Sequence, residues 1–122
     1  MDRWSRHLII LTVIVPLVAA CASPAAPLAQ PRTYRIGYFG NGGDPRPSPN
    51  VAAFKEGLAD FGYVVDQNLT IEFRWTEGKS ERLPELAGEL DALKLDALFA
   101  SSELPAQALL EAGADAPIVM VT

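Results

Sequence analysis

Few side chains in this 122-residue sequence are suited to catalysis or metal binding. The single cysteine, Cys21, and the single histidine, His7, both lie in the first 21 residues. The rest of the chain therefore has no means of forming a Cys/His zinc site, a catalytic histidine triad or a thiol nucleophile. No two of its carboxylates, hydroxyls or lysines resemble a catalytic pair held by a base or a metal ion. We expect a protein that is not an enzyme and that uses no metal ion and no cofactor.

The first 21 residues have the pattern of a secretory signal peptide. Arg3 and Arg6 precede an apolar run over residues 8–18, which breaks into small residues around Cys21. A helix over this run would span about 16 Å, too short to anchor the chain across a hydrocarbon core about 30 Å thick. The residues before Cys21 resemble a bacterial lipoprotein box, in which the cysteine is lipidated. Cleavage before Ser23 by an ordinary signal peptidase is the alternative.

Residues 22–32 form a proline- and alanine-rich linker, interpreted either as an extended spacer or as a disordered start of the mature chain. Without residues 1–21, eight basic and fourteen acidic residues remain, a net charge of −6. Such an acidic domain is a poor nucleic-acid binder. Residues 33–122 suffice for one modest core. Lipidation at Cys21 would tether this domain to the membrane in the periplasm or another extracytoplasmic space.

Strand-like and helix-like patterns alternate from residue 33 onward. The predicted strands cover residues 34–39, 69–76, 95–99 and 117–121, and the predicted helices cover 51–61, 83–93 and 103–112. Asn50 is the predicted N-cap of the first helix. The second strand alternates apolar and polar residues, which is typical of a sheet edge. We therefore predict an α/β fold with a parallel sheet in the order 2-1-3-4, flanked by helices.

The last predicted strand, residues 117–121, is continuously apolar. This pattern is typical of an interior strand covered on both faces, yet the sequence ends at Thr122. We expect that the fold is unfinished in this chain. The alternatives are completion by a partner and a plain apolar edge, which would be an aggregation hazard.

The predicted sheet order places a candidate site at the carboxyl ends of strands 1 and 3, where ligands bind in open α/β sheets. Glycines in the loop after strand 1 permit close approach of a ligand to the backbone. Hydroxyls and helix amides after strand 3 can hydrogen-bond a polar group. The six candidate ligand-binding residues are Gly40, Asn41, Gly42, Ser101, Ser102 and Glu103.

The last two candidates also have a plain structural interpretation. Ser102 can be a helix N-cap, and Glu103 can be an acid favoured in the first turn of that helix. If Glu103 faces the cleft, a neutral or cationic ligand is favoured. Tyr38 and Trp75 are interpreted as core or sheet-face aromatics in preference to stacking platforms. The glycines do not form a dinucleotide fingerprint, because Pro45 occupies the place of the third glycine.

Many motifs in residues 34–121 resemble, in order and spacing, the start of a family of ABC transporter substrate-binding proteins. They are RIGYFG at 35–40, DPR at 44–46, FKEGL at 54–58, GY at 62–63, QNLTIE at 67–72, RW at 74–75, GK at 78–79, LPELA at 83–87, AS at 100–101 and PIVM at 117–120. The resemblance implies a type I periplasmic-binding-protein fold of two α/β lobes. It further implies that this chain holds an incomplete first lobe.

The resemblance also implies a function. In this family the lobes close on a small solute, often an amino acid such as tryptophan or tyrosine, and deliver it to an ABC permease. Hydroxyl and backbone groups after strands 1 and 3 hold the ligand. Many relatives have Gly-Thr-Pro after the Ala-Ser pair, whereas this chain has Ser102, Glu103 and Leu104. The threonine hydroxyl is missing, so an amino-acid ligand does not carry over directly. A periplasmic sensory or interaction module on the same fold is the alternative function.

Overall fold

The computed structural model describes residues 31–43 and 48–121. The predicted signal peptide with Cys21 and residues 22–30 of the predicted linker lie outside the described residues, so the predictions made for them stay predictions. Within the described ranges, no helix is both long and apolar enough to cross a membrane.

Four strands form one parallel sheet. They are β1 (Tyr34–Gly40), β2 (Leu69–Trp75), β3 (Ala97–Ala100) and β4 (Ile118–Met120), and the helices are α1 (Pro49–Asp60), α2 (Leu83–Ala92) and α3 (Glu103–Glu111). The strand order is β2-β1-β3-β4, and every neighbouring pair is parallel. This confirms the predicted α/β fold and the predicted order. A 3₁₀ turn, Ser80–Arg82, leads directly into α2.

Two elements, α1 and β3, begin two residues away from their predicted starts, and the other boundaries agree to within one residue. Helix α1 begins at Pro49, and Ser48 caps it by accepting a hydrogen bond from the Val51 amide at 3.5 Å. The prediction of Asn50 as the N-cap was wrong, because a proline fits the first helical position, where no N–H is needed. Strand β3 begins at Ala97, two residues later than predicted. Leu95 is buried but precedes the ladder.

The main core lies between the sheet and helices α2 and α3. Phe39 and Leu98 project from the sheet on this side, and Leu90 and Leu109 meet them from the helices. All four side chains are at most 1% exposed. Burial of a leucine or phenylalanine side chain is worth about 1.5–3 kcal/mol, so this layer supplies much of the stability.

The two outer strands differ in character. In the described part of the chain, strand β2 pairs with β1 alone and carries charged side chains, with Arg74 Nε donating to Glu89 Oε2 at 2.7 Å. This confirms the predicted wetter edge strand. Within residues 31–43 and 48–121, strand β4 pairs with β3 alone, and although Ile118 packs on the core, Val119 is 56% exposed. The expectation that β4 is covered on both faces is therefore not met by the described residues, among which α3 packs beside it.

Candidate ligand-binding cleft

The carboxyl ends of β1, β2 and β3 meet at one edge of the sheet. Gly40 at the end of β1 is in register with Trp75 at the end of β2, and Phe39 is in register with Ala100 at the end of β3. The residues that follow each strand are therefore neighbours in space. This is the edge at which ligands bind in open α/β sheets.

Hydrogen bonds hold the start of the β1–α1 loop against both neighbouring strands. The Asn41 amide donates to Ser101 Oγ at 3.3 Å, and the Ser101 amide donates to the Phe39 carbonyl at 3.0 Å. On the other side, the Gly42 amide donates to Thr76 Oγ1 at 3.0 Å. Gly42 has a φ of +137°, a conformation that favours glycine. The loop is thus fixed at its first residues.

An aromatic cluster covers the α1 side of the sheet beneath this loop. Its members are Tyr38, Phe54, Phe73, Trp75 and Phe99. The Tyr38 ring lies 4.9 Å from the Phe99 ring and 5.1 Å from the Trp75 ring, measured between centroids. Contacts of this kind stabilise by about 0.5–1.5 kcal/mol beyond the burial of surface. Burial raises the pKa of Tyr38 above its ordinary 10.0, so the phenol stays neutral at physiological pH.

Two adjoining cavities open above the aromatic cluster, and together they are termed the cleft. One has a volume of about 390 Å³ and the other about 520 Å³, and Tyr38, Asn50 and Ser101 line both. The first is mostly apolar, with Ala53, Phe54, Phe99 and Val121 in its wall. The second is more polar, and its remaining lining residues are Asn41, Gly42, Gly43, Ser48, Trp75 and Ser102.

The cleft carries no charged side chain among the described residues that line it. Any charge on a ligand would therefore meet hydroxyl, amide and backbone dipoles in these walls. Within residues 31–43 and 48–121, no group of three His, Cys, Asp or Glu side chains is arranged to hold a metal ion.

The structure brings four of the six predicted residues together in the wall of the cleft. Asn41, Gly42, Ser101 and Ser102 all line the larger cavity. Gly40 lies behind it, where a Cβ atom would be only 1.7 Å from the Trp75 ring. Its role in the structure is thus to make room for the indole.

Glu103 is placed differently from the other candidates. It is the exposed first residue of α3 and lines neither cavity. Glu103 would favour a neutral or cationic ligand only if it faced the cleft. Among the described residues it is not part of the cleft lining.

Ser102 stands at the N-cap position of α3, but its side chain makes no capping hydrogen bond. Its Oγ atom is buried and has no hydrogen-bond partner among the described residues. A buried hydroxyl without a partner costs about 1–3 kcal/mol, so such a group is usually satisfied by something else. Because Ser102 lines the larger cavity, this hydroxyl lies close to the space that a ligand would occupy.

Several residues that line or support the cleft were not predicted from the sequence. Thr76 follows β2 and is fully buried, and its hydroxyl contacts the loop after β1. Trp75 lines the larger cavity as well as packing on Tyr38, so the interpretation as a sheet-face aromatic was incomplete. Ser48 and Asn50 join the lining from the start of α1. The position of Thr76 at a strand's carboxyl end was the one available signal.

Comparison with known proteins relates this fold to solute-binding proteins. No protein-family model matches the sequence, and no curated protein matches it. Among solved structures, the chain is similar to CD0873 from Clostridium difficile, a substrate-binding protein with adhesive properties, at 25% identity and a TM-score of 0.64. It is also similar to an ABC domain in complex with L-Trp from Streptococcus pneumonia, at 26% identity and a TM-score of 0.63.

A periplasmic binding protein from Burkholderia mallei shares the fold at 17% identity and a TM-score of 0.56. The similarity covers 72% of this chain but only 30% of CD0873 and 30% of the Streptococcus protein. The chain thus spans about a third of the length of these proteins. Its described elements form part of one lobe of a periplasmic-binding-protein fold, as the sequence resemblance predicts.

Proposed function

We propose that this chain belongs to an extracytoplasmic solute-binding protein of an ABC importer. It captures a small molecule outside the cytoplasmic membrane and passes it to a permease, and it catalyses no reaction. The similar proteins of known type are binding proteins, which supports a binding role. The observation that carries the proposal is the cleft itself. Polar groups after β1 and β3 converge there above an aromatic floor, and Ser102 Oγ is buried without a hydrogen-bond partner in the described part of the chain.

The lining of the cleft favours a solute with an apolar body and a polar head. Phe54, Phe99 and Tyr38 offer apolar surface at one end. At the other end, hydroxyls and the amides at the start of α3 can bind a carboxylate, because a helix N-terminus attracts negative charge. An aromatic or aliphatic amino acid has both parts, and the Streptococcus protein is in complex with L-Trp. We therefore place amino acids first among the ligand candidates.

The site assignment within this proposal is specific. Asn41, Gly42, Ser101 and Ser102 contact the ligand, and Gly40 holds the floor beneath it through Trp75. Binding proteins of this fold close two lobes over the solute, and closure supplies most of the affinity by burial. One lobe alone offers one wall. We expect a dissociation constant near the millimolar range for this chain, about −4 kcal/mol.

The experiment that tests the proposal is an NMR titration of the ¹⁵N-labelled chain with L-tryptophan, L-tyrosine and L-leucine. Binding in the cleft shifts the amide signals of Gly42 and Ser102 and the indole signal of Trp75. Ser102→Ala weakens the response several-fold, whereas the matched control Ser80→Ala, in the exposed 3₁₀ turn, leaves it unchanged. Shifts confined to other surfaces, or none with any of the three ligands, would contradict the ligand class. Micromolar affinity would contradict the dependence on a second lobe.

The membrane location is a separate part of the proposal. A lipid on Cys21 and the linker over residues 22–32 would hold the domain beside its permease. Labelled palmitate is expected to enter the chain and to be absent from a Cys21→Ser variant. Equal labelling of both forms would refute lipidation at this residue.

A sensory or interaction module is the second candidate. The adhesive properties of CD0873 favour it, since they place a protein of this fold in a role beyond transport. Genes for a permease and an ATPase beside this gene support transport. A neighbouring kinase or cyclase gene supports signalling.

A further inference from the structure

Thr76 links the segment after β2 to the loop that borders the cleft. Its side chain is fully buried, and it is the single polar or charged residue buried to this degree among the described residues. Its hydroxyl accepts a hydrogen bond from the Gly42 amide at 3.0 Å and donates one to Asn41 Oδ1, also at 3.0 Å. The Thr76 amide donates to the Gly40 carbonyl at 3.2 Å. One residue thus contacts three consecutive residues, the last of β1 and the first two of the loop.

The hydroxyl is the only group of Thr76 that can make both side-chain contacts. It has one hydrogen to donate and lone pairs to accept. The Gly42 N–H uses a lone pair, so the hydroxyl hydrogen is available for the Asn41 side-chain oxygen. Removal of the hydroxyl would leave a donor on Gly42 and an acceptor on Asn41 without partners at a part-buried place.

The hydrogen bond from the Thr76 hydroxyl also orients the side-chain amide of Asn41. With Oδ1 bound to the Thr76 hydroxyl, the other end of the side-chain amide is Nδ2, and Asn41 lines the larger cavity. The Nδ2 group donates two hydrogen bonds and accepts none. A ligand that reached this end of the Asn41 side chain would meet hydrogen-bond donors.

We propose that Thr76 is the positioning residue of the cleft. It holds Gly42 in its left-handed conformation and directs the Asn41 Nδ2 donors at an acceptor on the ligand, such as the carboxylate of an amino acid. The part of this inference that concerns the ligand rests on the proposed function. The part that concerns the loop does not.

The loop is tested first, on the full chain and without a ligand. Thr76→Val removes the hydroxyl and keeps the shape, Thr76→Ser keeps the hydroxyl, and Thr70→Val makes the same change at an exposed position of β2. We expect hydrogen exchange of the Gly42 amide to become about tenfold faster in Thr76→Val, with a shift of the Asn41 Nδ2 signals. Exchange of the Leu98 amide, in the core strand, serves as the internal reference.

Thr76→Ser is expected to restore both signals to the unsubstituted values, and Thr70→Val to leave them unchanged. Unaltered Gly42 exchange and unaltered Asn41 signals in a folded Thr76→Val chain would overturn the proposal. If Thr76→Val does not fold, hydrogen exchange of the Gly42 amide is compared in Thr76→Ser and Thr76→Ala instead. Faster exchange at Gly42 in the alanine variant alone supports the role of the hydroxyl, and equal exchange in both overturns it.

The ligand is tested second, by titration with L-tryptophan and with tryptamine, which lacks the carboxylate. We expect Thr76→Val to weaken L-tryptophan binding about fivefold or more and to leave tryptamine binding unchanged. Equal weakening of L-tryptophan and tryptamine binding would overturn the proposal that the Asn41 Nδ2 donors point at the carboxylate of the ligand. Absence of L-tryptophan binding by the unsubstituted chain, together with the expected exchange result, would contradict the proposed ligand and support the positioning of the loop.

Discussion

Replacement of Gly40 by alanine is expected to displace the Trp75 indole from the floor of the cleft. A Cβ atom on Gly40 lies 1.7 Å from Trp75 Cζ3 and 1.8 Å from Cε3. Carbon atoms in contact are about 3.5–4.0 Å apart, so the two groups cannot occupy these positions together. Gly40 ends the central strand β1 and its carbonyl accepts from the Thr76 amide, whereas Trp75 is on the edge strand. The indole is therefore the group that moves.

The size of the effect follows from the surface that the indole loses. A tryptophan side chain buries about 150–250 Å². If displacement returns about 100 Å² of the Trp75 ring to water, the cost is about 2.5 kcal/mol at about 25 cal/mol per Å². This agrees with the cost of about 1–3 kcal/mol for inserting an extra methyl group into a packed region. The ring contact with Tyr38 at 5.1 Å is lost as well.

The assay is urea unfolding followed by circular dichroism, with tryptophan fluorescence of the folded state as a second readout. With an m-value of about 1–1.5 kcal/mol/M, a loss of about 2.5 kcal/mol lowers the midpoint by about 2 M. In a chain that starts at residue 22, Trp75 is the one tryptophan, and its emission is expected to shift to the red because the ring enters water. Gly43→Ala is the matched control, since a Cβ atom there has nothing within 4 Å.

We expect the control to change the free energy of unfolding by no more than about 0.5 kcal/mol. Unfolding of Gly40→Ala at the same urea concentration as Gly43→Ala would refute the displacement of the indole. A lower unfolding midpoint with an unchanged emission wavelength of Trp75 would refute it as well. In that case the strain would be relieved by the backbone.

Three further predictions concern stability. Leu90→Ala removes a side chain with no exposed surface and is expected to lower the free energy of unfolding by about 2–5 kcal/mol. Leu110→Ala, at a side chain that is 69% exposed, is expected to lower it by less than about 0.5 kcal/mol in the same urea experiment. A hydrogen bond from the Arg35 backbone amide, and next one from the Arg32 side chain, lower the pKa of Asp96 below its ordinary 3.8. The contribution of Asp96 to stability is therefore present above pH 3.8 and is lost as the pH falls below that value. Asp96→Asn should flatten the acid side of the stability profile, and an unchanged acid side would contradict this. Burial raises the pKa of Tyr38 above 10.0, so stability is lost as pH rises past 10. Tyr38→Phe should reduce that alkaline loss, as measured by urea midpoints from pH 9 to 11.

The fold was predictable because its signals are local. Alternation of apolar and polar residues in β2, the helical stripe of α2 and the apolar run of β4 each lie within about ten residues of sequence. Parallel strands joined by helices then leave few topologies, since the crossovers are right-handed. The N-cap of α1 was misplaced for a local reason too. Ser48 and Asn50 are both good caps, and Pro49 between them decides in favour of Ser48.

The cleft was predictable only in part. The loops after β1 and β3 follow from the strand order, and with them Asn41, Gly42, Ser101 and Ser102. Thr76 could not be ranked in the same way, because its importance depends on the register between β1 and β2, which places it beside Gly42. No sequence pattern within β2 indicates which residues of β1 lie opposite its own.

By itself, the sequence determined the alternation of strands and helices, the absence of histidine and cysteine from residues 22–122, and the secretory pattern that ends at Cys21. Only the tertiary structure decided that Glu103 lies away from the cleft, that Trp75 occupies the space above Gly40, and that the Thr76 hydroxyl holds the loop. Composition and periodicity are properties of neighbouring residues along the chain. Contacts between residues about 35 positions apart, such as Asn41 and Thr76, exist only after the strands pair.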